Sequence, residues 1–203
     1  MLYKLLALDI YGCLYPFRYN TRNDYRVQSS TFATNYLVNH TKEAAEGMNI
    51  LPFEKKKDKQ AIIFMGIQAS GKTTFYQRVL SDGAYSYISL DELHTRHQED
   101  MAISACLEQA KSFVIDNTNP EVCDRERYIQ RAKEHGYYVI GIFFQSIVKD
   151  CVGRNEGRGM KVPSKAIAYT SNKLQMPSKK EGFDELYFVR IDNNDFEIST
   201  WRE

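Results

Sequence analysis

From residue 61 onward, apolar and polar positions alternate in blocks that read as strand, helix, strand, helix. Ala61–Met65 is an unbroken apolar run with the look of a strand buried on both faces. Residues 74–80 follow with helical spacing. Tyr85–Ser89 and Phe113–Asp116 read as the next two strands, with helical spacing at Ala102, Cys106, Leu107 and Ala110 between them. Asn119-Pro120 predicts a helix start, with Asn119 as N-cap and Pro120 in the first turn, and Gly136 predicts its end. Tyr137–Phe144 is a fourth strand, helices are expected near 147–155 and 164–174, and Leu186–Ile191 is a fifth strand. Strands alternating with helices imply parallel pairing and right-handed crossovers, hence a three-layer α/β domain with ligand at the C-terminal strand ends.

The first 59 residues lack this rhythm. Met1–Leu8 is apolar but short, and predicts a strand or core segment rather than a cleaved leader. Residues 15–30 are polar, residues 30–47 have helical spacing, and the charged run Glu54–Lys59 reads as a linker. The expected division is an N-terminal extension of unassigned role over 1–59 and an α/β domain over 60–203.

The connection after the first α/β strand carries the clearest chemistry. Gly66-Ile67-Gln68-Ala69-Ser70-Gly71-Lys72-Thr73-Thr74 is a G-x-x-x-x-G-K-[ST] loop between a strand and a helix, the context of a nucleotide-phosphate site. Its backbone N–H groups curl around phosphate, Lys72 supplies a point charge, and the Thr73 hydroxyl is a ligand for Mg²⁺. The expected fold is therefore a P-loop NTPase fold with a mostly parallel five-stranded sheet, and the expected cofactors are ATP and Mg²⁺.

Phosphoryl transfer to a hydroxyl also needs a carboxylate for the proton and cations for the transferring group. Asp91, just past the second strand, is placed for the first role; the alternative is that it caps the helix it begins. Asp116 and Asn117, past the third strand, are placed to meet Mg²⁺ through water or to order the loop, or serve as turn residues only. Arg154 and Arg158 lie four apart and share a face if their helix persists, which suits a lid over phosphates or a solvated basic helix end. Lys165, Lys173, Lys179 and Lys180 extend this basic region.

Bulk properties narrow the field further. The chain has 203 residues, 43% of them hydrophobic, and a net charge of +1, so no global field draws in nucleic acid. Cys13, Cys106, Cys123 and Cys151 form no metal-type spacing and read as separate buried thiols of a cytoplasmic protein. His94 and His97 are close enough to share a helix face, where surface positions are commoner than metal ligands. No apolar run reaches the ~20 residues of a membrane span.

Residues 61–192 resemble the kinase domain of polynucleotide 5′-hydroxyl kinases, in the zeta-toxin-like branch of small P-loop kinases. The resemblance rests on Val114-Ile115-Asp116-Asn117-Thr118-Asn119-Pro120, on Arg125-x-Arg127-Tyr128-Ile129, on Arg154-Asn155-x-x-Arg158-Gly159 with Val162-Pro163, and on Pro177 with Glu181-Gly182-Phe183. Met65–Lys72 is also similar to stand-alone bacterial AAA-type ATP-binding proteins. The resemblance implies transfer from ATP, with Mg²⁺, to a 5′-hydroxyl. It also implies Lys72 and Thr73 at phosphate and metal, Asp91 as base, and Arg154 and Arg158 as lid arginines. Three positions depart from the pattern: Ser89-Leu90 replace Asn-Arg before Asp91, His94 stands where an arginine is expected, and Gln68-Ala69 replace Pro-Gly. A small metabolite or nucleotide sugar is the alternative acceptor, and an ATP-binding switch acting through a protein partner is the alternative outside catalysis. Leu8-Asp9-Ile10-Tyr11-Gly12 resembles in part the nucleophile motif of haloacid-dehalogenase phosphatases. Tyr11 replaces the second aspartate, however, and the segment is too short for that fold, so Asp9 is expected to be a turn residue.

Overall fold

The computed structural model describes residues 6–8, 14–16, 51–53 and 59–202. The expectations for Asp9 and for a helix over 30–47 lie outside these residues. The chain divides into two compact units, Met1–Met48 and Asn49–Glu203. In the first, β1 (Leu6–Leu8) pairs antiparallel with β2 (Leu14–Pro16), Ala7 opposite Tyr15.

The second unit is the α/β domain. Its strands are β3 (Gln60–Met65), β4 (Ser86–Ile88), β5 (Phe113–Ile115), β6 (Tyr138–Phe144), β7 (Glu185–Asp192) and β8 (Asp195–Thr200), in the sheet order β4-β5-β3-β6-β7-β8. All pairs are parallel except β7–β8. Alternation along β3 sends Ala61, Ile63 and Met65 into one core cluster and Ile62 and Phe64 into the other, so both faces of the sheet are covered.

The helices are α1 (Lys72–Phe75), which continues as a π-helical turn over Tyr76–Leu80, α2 (Leu90–Leu93), α3 (Arg96–Glu108), α4 (Val122–Glu134), α5 (Val148–Glu156) and α6 (Ser164–Lys173). α3 and α4 cover one face with Ile103, Leu107, Tyr128, Ile129 and Ala132. Phe75 and Leu80 cover the other. There Phe75 packs edge-to-face on Phe64, Phe144 and Phe196 at 5.9, 5.4 and 5.1 Å. Leu51 and Phe53 are buried in the same cluster, Phe53 5.5 Å from Tyr187. A small third cluster of Ile67, Cys151 and Ile167 seats α5 and α6 against the phosphate loop.

Five sequence expectations are corrected. The sheet has six strands, not five: Asn193 and Asn194, both at positive φ (47° and 65°), make the tight turn that brings β8 back along β7. Asn119 does not cap α4. It sits at φ 43° and donates its side-chain amide to the Phe64 carbonyl (2.7 Å), while Glu121 precedes the helix and its N–H is accepted by Asp124. α5 ends at Glu156, so Arg154 is helical and Arg158 lies beyond it. His94 closes α2 at φ 63° and shares no helix face with His97. Cys106 and Cys151 are buried, whereas Cys123 is exposed.

Candidate active site

The C-terminal ends of β3, β4 and β5 open onto a cleft of about 650 Å³. Gln68, Ala69, Gly71, Lys72, Thr73 and Thr74 line it, together with Asp91, Asp116, Asn117, Arg154 and Arg158. These residues come from four separate stretches of sequence, as expected from strand ends at a switch in strand order.

The loop conformation is built by tight backbone contacts. Gly66 is at φ 146° and donates to Thr118 O (2.9 Å), which ties the loop to the turn after β5. Gly71 is at φ 102°, and a Cβ there would lie 2.8 Å from Ile191 Cδ1. Only glycine meets both conditions at that position. α1 begins at the next residue, so the first N–H groups of a helix, which have no partner within it, fall on Lys72, Thr73 and Thr74, residues that line the cleft.

Lys72 is 8% exposed, and its Nζ donates to Gly66 O (2.9 Å), Ile67 O (2.8 Å) and Ser70 Oγ (3.3 Å). Burial pushes its pKa down to about 8 against the opposing pull of Asp116. Arg154 donates from Nε to Ala69 O (2.8 Å) and from Nη2 to Cys151 Sγ (3.2 Å), which lays α5 on the loop.

Thr73 Oγ1 and Tyr87 OH both donate to Asp116 Oδ2 at 2.6 Å. Burial, with the Asp116 charge next, pushes the Tyr87 phenol well above its usual range. Tyr87 is stacked on Tyr76 at 4.2 Å, so the pair orients Asp116 from the α1 side. Thr73 and Asp116 are hard oxygen donors beside the loop, a donor set that suits Mg²⁺, which takes one or two protein oxygens and keeps waters and phosphates for the rest. Among the described residues there is no cluster of three or more His, Cys, Asp or Glu of the kind an all-protein cage needs.

Asp91 lies inside α2, with Ser89 at the N-cap position, so it is not the cap of its helix. Its position is set by a chain of contacts that runs inward to a buried carboxylate. Asn117 Oδ1 accepts from Leu90 N (2.9 Å), and Asn117 Nδ2 donates to Glu99 Oε1 (2.5 Å). Glu99 is fully buried and also accepts from Tyr128 OH (2.9 Å) and Arg96 Nη1 (2.8 Å). Burial, with the Glu99 charge next, pushes Tyr128 up to about 12. The Glu99 carboxylate thus fixes Asn117 and, through it, the start of α2, and it holds Arg96, which also lines the cleft.

Sequence reading missed Tyr87 and Glu99, because a tyrosine in a strand and a glutamate in a polar helix carry no motif. It also missed the hairpin wall formed by Ile191, Asn194 and Phe196. The Asn-Asn pair flanked by apolar alternation was the available signal there. Arg125 belongs to a quoted motif but not to the cleft. It is fully buried and pairs with Glu181 (2.6 and 2.9 Å), tying α4 to the turn before β7.

A phosphate loop on a parallel sheet, closed by an arginine-bearing helix and facing a carboxylate at the next strand tip, defines a P-loop kinase-type domain. The chain belongs to the AAA domain family, whose model matches residues 62–177, more than half of it. It is 29% identical over 136 residues to a bifunctional polynucleotide phosphatase/kinase of Schizosaccharomyces pombe, a match that covers 64% of this chain and 33% of that protein. It is 32% identical over 115 residues to a putative bifunctional polynucleotide phosphatase/kinase of Acanthamoeba polyphaga mimivirus, covering 54% and 27%. The chain therefore spans a third or less of the length of these relatives. Among solved structures, Chaetomium thermophilum Kti12 in complex with ADP-AlF3 superposes with TM-score 0.50 at 16% identity, over 66% of this chain and 90% of that one, a likeness of fold. Among the described residues no helix is long and apolar enough to cross a membrane.

Proposed function

We propose that this domain transfers the γ-phosphoryl group of ATP, with Mg²⁺, to the 5′-hydroxyl of a nucleic acid in the cytoplasm. The observation that carries the reading is the convergence of Asp91 with Lys72, Arg154 and Arg158 on one cleft. The names of the two curated relatives favour a polynucleotide as acceptor.

In this reading the loop N–H groups and Lys72 hold the β- and γ-phosphates, and Gln68 to Thr74 shape their cradle. Asp91 takes the proton of the acceptor hydroxyl as its oxygen forms the new bond to the γ-phosphorus, while the bond from that phosphorus to the bridging oxygen breaks and ADP leaves. Arg154 and Arg158 face the charge that spreads over the transferring group and exclude water. Thr73 and Asp116 would hold Mg²⁺, which when bound would neutralise phosphate charge. Asn117 keeps Asp91 in place through the Leu90 backbone.

The test is transfer of label from γ-labelled ATP to a DNA or RNA oligonucleotide with a 5′-hydroxyl, for the wild type and Asp91→Ala. Label on the oligonucleotide that Asp91→Ala abolishes is the expected result. Absence of label from both polymers refutes the acceptor, and transfer unaffected by Asp91→Ala refutes the base.

A further inference from the structure

Tyr169 is out of character with its surroundings. Its neighbours on α6 turn inward: Ile167 is fully buried in the cluster under the phosphate loop, and Thr170 Oγ1 accepts from Gln68 Nε2 (3.0 Å) while donating to Ala166 O (3.0 Å). Tyr169 instead is 63% exposed and lines the cleft. One helical turn later, Lys173 places its Nζ 5.1 Å from the centre of the Tyr169 ring. That ammonium is itself held by Glu121 Oε2 at 3.3 Å. The ring is thus an open aromatic surface on a seated helix, with a cation 5.1 Å from its centre.

Sheet order says which substrate this surface meets. β3 carries the phosphate loop. β6, β7 and β8 lie to one side of it, and their hairpin contributes Ile191, Asn194 and Phe196 to the cleft. β5 and β4 lie to the other side and contribute Asp116, Asn117 and Asp91. Lys173 grips Glu121, in the connection that follows β5, so the Tyr169 ring belongs to the wall of the cleft built by that connection, not to the wall built by the β7–β8 hairpin that carries Ile191, Asn194 and Phe196. The local charge decides which part of the acceptor sits there. Asp124 lines the cleft beside the Glu121–Lys173 pair, whose charges offset each other, so the wall offers a phosphate no net positive charge, whereas the face of a neutral base stacks on tyrosine and its amino groups donate to carboxylates.

We propose that Tyr169, steadied by Lys173, is the stacking platform for the nucleobase of the 5′-terminal nucleotide and sets the preference for an acceptor that carries a base. This rests on the polynucleotide reading of the site. It makes Tyr169 a specificity-determining residue that takes no part in the donor phosphates' binding.

The test is steady-state transfer from ATP to two 5′-hydroxyl oligonucleotides, one natural and one with an abasic 5′-terminal residue, for the wild type, Tyr169→Phe and Tyr169→Ala. Stacking of one base predicts that the wild type's KM for the abasic oligonucleotide is at least about fivefold above that for the natural one. Tyr169→Phe keeps this ratio. Tyr169→Ala raises the KM for the natural oligonucleotide to the abasic level and leaves the KM for ATP unmoved. Equal KM values for the natural oligonucleotide in the wild type and Tyr169→Ala overturn the proposal while leaving the function standing. A rise in the KM for ATP instead assigns the ring to the donor base and also overturns it. If the wild type phosphorylates neither oligonucleotide, the acceptor reading itself falls, and this proposal with it.

Discussion

The buried ammonium of Lys72 makes a prediction that reads stability and binding from one atom. In the folded protein its pKa is lowered from 10.5 to about 8, chiefly by burial. The unfolded chain holds that proton up to about pH 10.5, so between pH 8 and 10.5 it binds more protons than the folded state does. Linkage then requires stability to rise with pH across that window. A displacement of about 2.5 pKa units corresponds to about 3 kcal/mol, present as a deficit at pH 7 and largely removed by pH 10. Lys72→Met cannot take up the proton and lacks this term. Urea unfolding of both proteins between pH 7 and 10 isolates it, because the tyrosines, several of them raised in pKa by burial, titrate in both and cancel in the difference. The free energy of unfolding of the wild type minus that of Lys72→Met should climb by about 2–3 kcal/mol over this range. Nucleotide phosphates keep the ammonium charged, so nucleotide affinity of the wild type should fall by up to about tenfold per pH unit above pH 8. A stability difference that stays flat with pH refutes the depressed ammonium, and affinity independent of pH refutes its contact with phosphate.

Other outcomes follow from single contacts. Arg125→Ala should cost about 3–5 kcal/mol in urea unfolding, because it leaves Glu181, 8% exposed, without its ion partner. A loss under 1 kcal/mol would show that water reaches that carboxylate. Gly71→Ala should abolish nucleotide-induced thermal stabilisation, since it strains a residue at φ 102° and drives a methyl into Ile191. Glu99→Gln should lower stability by about 1–3 kcal/mol and lower kcat more than it raises the KM for ATP, because the carboxylate acts through Asn117 and Arg96 rather than on the donor. A pure rise in the KM for ATP would contradict that. Transfer to an oligonucleotide should fall steeply with added salt, whereas a small acceptor would give little slope.

What was legible in the sequence were the features with local causes. β3, the phosphate loop and α1 announce themselves through an apolar run, fixed glycines and a helix start, and residues Phe113 to Asp116 do the same for β5. That Lys72, Asp91, Asp116 and Asn117 line one cleft was legible because each follows closely on a strand, and Arg154 and Arg158, which line it too, stood out by their spacing of four. The misses have tertiary causes. Asn119 has the composition of a cap, yet the Phe64 carbonyl at the end of β3 claims its amide and a left-handed backbone carries the chain past the expected helix start. Glu99 reads as one more surface acid until Arg96, Asn117 and Tyr128 are brought around it. β8 was missed because the one buried residue it contributes is Phe196, which packs on Phe75 from a distant part of the sequence.

The hydrogen bonds of Lys72 to the Gly66 and Ile67 carbonyls, and of Arg154 to the Ala69 carbonyl, have a consequence for kinetics. Two cations of the cleft, Lys72 and Arg154, rest on peptide oxygens of the same loop that is built to receive phosphate. Nucleotide entry is therefore an exchange of partners, not the filling of a waiting void. Its affinity reflects the difference between a phosphate oxygen and a peptide oxygen as acceptor. Its departure is assisted by carbonyls ready to take the two cations back, so a loop built this way is suited to releasing a nucleotide as well as to holding one.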